Sequence, residues 1–173
     1  ERYAQEYLNI PIDTSLGYFR QGDFLPMEEG HFERNKLYYI FVDPAVSQKQ
    51  SADPTAVVVV GVDEHGTLFI EHVVNERMDT LELMNLLFAL NKKCRPESIV
   101  FEDGVIEKAV GQFIYREMRA RGEYFTIDTI KPSADKETRA RTIQAMMRAN
   151  NVFFNKEAAW YPELELQMLR FPR

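Results

Sequence analysis

The chain of 173 residues holds a single cysteine, Cys94. That excludes an internal disulfide and any cysteine-based zinc cluster, and points to a reducing, cytoplasmic compartment. No run of about 18 apolar residues occurs, so no segment reads as a membrane span. The opening Glu-Arg-Tyr-Ala-Gln-Glu has no signal-peptide character. It also lacks an initiator Met, and the expectation is a piece of a longer protein. No Gly-x-x-x-x-Gly-Lys-Ser/Thr run is present, which excludes a P-loop phosphate cradle. Histidine is scarce: His31, His65 and His72 stand apart, with no ligand-like spacing. Ser47, Ser51 and Ser133 have no credible base nearby, which argues against a serine nucleophile.

Apolar residues are plentiful. They make up 45% of the chain, with 12 Phe and 8 Tyr, enough for a substantial core. Net charge is −6, which argues against indiscriminate nucleic-acid binding by the whole surface. The charge is uneven, however. Between Tyr115 and Arg148 eight Lys/Arg face five acids, so a polyanion would approach one side.

Residues 1–35 are polar and punctuated by Pro11, Gly17, Gly22, Pro26 and Gly30. They read as a linker or arm, with a short helix at 3–8, and the folded domain is expected from residue 36 to 173. Leu37–Val42 is almost wholly apolar and reads as a strand buried on both faces, ended by Asp43 and Pro44. Thr55–Val62 and Thr67–Val74 are strands around an Asp63–Gly66 turn. Helices are expected over 81–93, 106–121, 133–150 and 160–169. Ser98–Glu102 and Tyr124–Ile130 are strands, and Val152–Phe154 is a short extended piece. Ser133 reads as the cap of the third helix, with Glu137 near the reciprocal position. The order βββ-α-β-α-β-α predicts an α/β fold. Its five-stranded mixed sheet would combine a three-strand antiparallel meander with two parallel strands, flanked by helices.

Asp43 and Glu102 each end one of these apolar strands. An acid at the tip of a core strand is costly unless neutralised, and two such acids on neighbouring strands repel. A divalent cation relieves both problems, and hard oxygen ligands suit Mg²⁺ or Mn²⁺. The plainer reading of each is a strand-end acid facing water. Asp53 could reach such a site through a water, but setting the Asp-Pro turn is the preferred role. Asp103 reads as the cap of the following helix. Lys131, Lys136, Arg139 and Arg141 lie before and within the start of the third helix, where cations reinforce an anion-attracting N-terminus. They are candidate DNA-backbone contacts, or the solvated face of an exposed helix.

The acids at the ends of the first and fourth strands resemble the RNase H-like nucleases. A closer resemblance lies in Ala4-Gln-Glu-Tyr-Leu-Asn9, Val42-Asp-Pro-Ala45, Ala52-Asp-Pro-Thr-Ala56, Val100-Phe-Glu-Asp103, Lys136-Glu-Thr-Arg139 and Trp160…Phe171-Pro172. In that order they are similar to the C-terminal nuclease domain of tailed-phage terminase large subunits.

The resemblance implies a metal-dependent endonuclease that cuts concatemeric double-stranded viral DNA during packaging. Asp43 and Glu102 would be catalytic and would hold two Mg²⁺ or Mn²⁺ ions, with Asp43 bridging. It further implies an N-terminal ATPase domain in the parent chain, joined through residues 1–35. Portal protein and small terminase subunit would be partners, and host cytoplasm at the procapsid portal the location. The family usually supplies a third acid soon after the Phe-Pro, beyond Arg173. Alternatives are a non-cutting DNA or portal docking module, and another RNase H-fold nuclease such as a resolvase. Actin-like ATPases also carry an acid after the first strand, but the absence of Gly between Pro44 and Val60 argues against their phosphate loops.

Overall fold

The computed structural model describes residues 17–45, 54–104, 110–131 and 134–172. Its strands are Leu25–Pro26 (β1), Leu37–Asp43 (β2), Thr55–Val62 (β3), Leu68–Glu76 (β4), Ser98–Glu102 (β5), Ile127–Ile130 (β6) and Val152–Phe154 (β7). Its helices are Glu29–Phe32 (α1), Thr80–Cys94 (α2), Phe113–Arg121 (α3), Lys136–Arg148 (α4) and Tyr161–Leu169 (α5). The strands form one mixed sheet in the order β1-β7-β4-β3-β2-β5-β6.

The expected antiparallel meander is β2-β3-β4, and β5 and β6 extend it in parallel from β2. The sheet has seven strands rather than five, because β7 pairs parallel with β4 and β1 pairs parallel with β7. Both added strands are too short to show a period of two in the sequence.

β-branched residues dominate β3 and suit a pleated, half-buried surface. Its hairpin to β4 turns at Asp63–Gly66, where Gly66 takes a φ of 76° that a side chain would resist. Burial alone would raise the Asp63 carboxyl. The N–H groups of Thr67 and His65 and the Arg34 guanidinium donate to it and together hold it below its ordinary range.

Register slips between Val59 and Val60, which pair with His72 and Ile70, so Glu71 is the extra residue of a β-bulge. The bulge delivers the Glu71 carboxylate to Lys36, whose side chain has no exposed surface. The Tyr38 hydroxyl also donates to Glu71, at 3.3 Å. Burial, then the Glu71 charge, push that hydroxyl up to about 12. A Cβ on Gly61 would lie 2.8 Å from the Lys36 stem, so glycine leaves the room this pair occupies.

One face of the sheet packs Ile40, Val42, Val57, Val59, Ile99 and Phe101 against α2 and α3, through Leu83, Met84, Leu87, Ile114 and Met118. Asp79 caps α2: its carboxylate accepts from Glu82 N–H at 2.8 Å, and Glu82 accepts reciprocally from Asp79 N–H. The other face carries a smaller core of Met147 from α4, Val152 and Phe154 from β7, and Tyr161 from α5.

Phe19 and Phe24 are buried in that second core. Residues 17–35, read from the sequence as part of a linker, therefore belong to the packed fold. Isolated aromatic anchors among polar residues leave no periodic signal. The helix expected at 3–8 lies outside the described residues. The cap of α4 is Asp135, which accepts from Thr138 N–H at 2.8 Å. Ser133, expected in that role, lies outside the described residues, as do 105–109 at the start of the helix expected over 106–121.

Candidate metal centre

β2 and β5 run parallel with Val42 opposite Phe101. One step further, the same register sets Asp43 opposite Glu102. Side chains alternate between faces along a strand. Ile40, Val42, Ile99 and Phe101 all face the first core, so Asp43 and Glu102 both face the other side. They sit on adjacent strands, whose backbones lie about 4.8 Å apart, at the rim formed by the C-terminal ends of parallel strands. Ligands of α/β sheets commonly bind at that rim.

Two contacts hold the strand ends. Ala45 N–H donates to the buried Thr55 Oγ1 at 3.0 Å, tying the chain after Asp43 to the start of β3. Asp103 N–H donates to the Ile130 carbonyl at 2.8 Å, fixing the chain after Glu102 against β6.

The acids are not buried as the apolar runs suggested. Asp43 is exposed and Glu102 half-exposed. β2 is not covered on both faces either: Phe41, which shares a face with Asp43, is 41% exposed, and Ile130, beside Glu102, is 52% exposed. The second core gathers at the β7 and β4 side of the sheet, so among the described residues it does not cover this corner. Mutual charge, rather than desolvation, is what a cation would relieve here.

Arg139, from the second turn's start in α4, places its guanidinium 3.9 Å from the Glu102 carboxylate. Lys131 lies 3.6 Å from Asp103. Lys136 sits over the Phe171 ring at 5.6 Å, and Phe171 packs edge-on to Tyr18. Arg141 is exposed, and two residues beyond Arg139 it lies on a different side of the helix. The Asp135 carboxyl at the α4 cap is held below its ordinary range by the Thr138 N–H and hydroxyl.

Asp53 lies outside the described residues. Asp128 escaped sequence reasoning. On β6 it pairs with Val100 of β5, so it shares the face of Glu102 one pleat back from the rim. Alternation within Ile127–Ile130 was the available signal, but without the pairing register it has no side. Among the described residues no group of three or more His, Cys, Asp or Glu is arranged to hold a metal.

Residues 40–172 match the model of the terminase RNaseH-like domain. The chain belongs to this family. No curated protein matched the chain in sequence comparison. Among solved structures, the large terminase nuclease of thermophilic phage G20c, with bound magnesium, superposes with a TM-score of 0.51 at 17% identity. That match covers 82% of this chain and 75% of the other. The large terminase of thermophilic bacteriophage D6E gives a TM-score of 0.56 at 13% identity, covering 88% of this chain and 36% of that one. The same D6E protein in complex with ADP gives 0.50 at 14% identity, covering 79% and 32%. The chain thus spans about a third of the D6E terminase, and identities this low show shared fold alone. No helix among the described residues of this terminase-family domain is long and apolar enough to cross a membrane.

Proposed function

We infer that this domain is a metal-dependent endonuclease that cuts concatemeric double-stranded viral DNA during genome packaging. The observation that carries the reading is the placement of Asp43 and Glu102 on adjacent parallel strands, on one face, at the C-terminal rim. The two carboxylates fit a hard divalent cation, Mg²⁺ or Mn²⁺, by donor type and by shared side. When bound, a pair of such ions activates water and stabilises the charge of phosphodiester hydrolysis.

The residues of the chain do the rest. Asp43, on the interior strand β2, and Glu102, on its neighbour β5, would hold the ions. Asp53 stays in the proposal as an auxiliary acid, and the family resemblance adds a third acid soon after Phe171-Pro172. Phe171 lies against Lys136, one turn before Arg139, so the end of α5 approaches the corner that holds Glu102. Arg139, Lys136, Lys131 and Arg141 form the basic side on which the DNA backbone would lie. The N-terminal arm, read from the sequence as residues 1–35, would lead to an ATPase domain in the parent protein. Portal protein and small subunit would be its partners at the procapsid portal.

The test is nicking of supercoiled plasmid in Mn²⁺ by this chain and by one extended past Arg173. Cleavage that disappears in Asp43→Ala and in Glu102→Ala, with circular dichroism unchanged, supports the nuclease. One observation favours a second reading, a DNA or portal docking module: Glu102 is already engaged by Arg139. Metal-insensitive duplex binding with no nicking by either chain would select it.

A further inference from the structure

We propose that α3 carries a second duplex-DNA contact, on the opposite layer of the sheet from α4, made by Arg116 and Arg119. This rests on the nuclease reading and extends it to how the substrate is held.

α3 buries one stripe, Ile114 and Met118, in the first core. The opposite stripe, at helical spacing, is Gln112, Tyr115, Arg116 and Arg119. With Phe113 these residues line an open cleft of about 510 Å³. Tyr115 is 49% exposed there, and the Arg116 guanidinium stacks over the Phe113 ring at 5.0 Å. That stacking holds the guanidinium at the surface without neutralising it.

Many cations of the chain are spent on carboxylates. Arg34 meets Asp63, Lys36 meets Glu71, Arg121 meets Glu117 and Arg148 meets Asp23. Arg116 and Arg119 have no carboxylate partner among the described residues. In a protein of net charge −6, two arginines with no carboxylate partner among the described residues, beside an exposed tyrosine and an amide, match the chemistry of phosphate and sugar contacts.

Topology aims this surface at the candidate metal centre. α3 connects the C-terminal end of β5 to the N-terminal end of β6. Its first turn therefore lies at the rim that carries Glu102. α4 leaves the C-terminal end of β6 and also begins at that rim, but packs on the other face through Met147. The start of α3, with Gln112, Tyr115 and Arg116, and the basic start of α4 flank the acid pair from opposite layers, and Arg119 continues the α3 surface into its last turn. A duplex laid across the rim meets α3 on one side and α4 on the other, with the acids between them.

The experiment is duplex-oligonucleotide binding by fluorescence anisotropy, in EDTA to prevent cutting, across a salt series. The variants are Arg116→Gln/Arg119→Gln and, as a charge-matched control, Lys92→Gln/Lys93→Gln at the opposite rim. Each phosphate contact contributes about 0.9 to the slope of log affinity on log salt. The α3 pair should lower that slope by about 1.8, so its deficit relative to the parent shrinks about 12-fold between roughly 50 and 200 mM salt. The control should keep the parent slope, and Mn²⁺-induced thermal stabilisation should persist in both variants. An unchanged slope in the α3 variant, or an equal loss in the control, overturns the contact and leaves the nuclease reading standing. A parent chain that binds no duplex overturns both.

Discussion

Asp43→Asn separates charge from chemistry at the candidate metal centre without any activity assay. Asp43 and Glu102 lie opposite one another on adjacent strands, whose backbones are about 5 Å apart, and that spacing sets the scale for their charges. Two like charges at that distance repel by about 0.8 kcal/mol in bulk water and about 3 kcal/mol at an effective dielectric of 20. Asp43 is exposed, and Arg139, 3.9 Å from Glu102, offsets part of the field, so the lower figure applies.

Removing the Asp43 charge should therefore stabilise the metal-free protein by up to about 1 kcal/mol, a rise of about 2–4 °C in Tm for a domain of this size. A bound cation reverses the ranking. At 100 times its Kd, Mn²⁺ stabilises the parent by about 2.7 kcal/mol, and the Asn variant should lose most of that increment. Thermal melts by circular dichroism, in EDTA and in graded Mn²⁺, measure both quantities. A variant that melts lower than the parent in EDTA, or that gains as much from Mn²⁺, refutes a shared cation pocket.

Two further outcomes test the frame that holds the site. Glu71→Gln leaves the fully buried Lys36 charge without its carboxylate and should cost about 3–5 kcal/mol in urea unfolding. The double variant Lys36→Met/Glu71→Leu removes both charges and should cost less than Glu71→Gln alone. Asp63 bears on acid stability. Its folded-state carboxyl lies below its ordinary value of about 3.9, so its stabilisation is full above that value and is lost as pH falls through the folded one. Asp63→Asn should remove that share of the acid dependence, read as a smaller stability difference between pH 6 and pH 3; an unchanged difference would exclude it.

Much of this was legible in the chain. The apolar runs Leu37–Val42 and Ser98–Phe101, the β-branched stretch Thr55–Val62 and the Asp63–Gly66 turn specify their elements locally, because strand propensity and turn chemistry are short-range properties. The Asp79 cap, with Glu82 three residues on, is a short-range signal of the same kind. What was lost depended on partners. β1 and β7 are strands only because each finds an edge. Phe19 and Phe24 are core residues only because the second face leaves them a place. Glu71 gave no sign of its bulge, since the extra residue exists only relative to β3.

Which acids end apolar strands, and which cations cluster between Arg116 and Arg148, can be read from the chain alone, because composition and alternation are written along one dimension. Strand pairing and helix packing are what bring Asp43 and Glu102 to one side of the sheet, Arg139 to Glu102 and Asp128 to their face. Sidedness across strands is set by pairing register, and a slip of one residue would have turned one acid into the core.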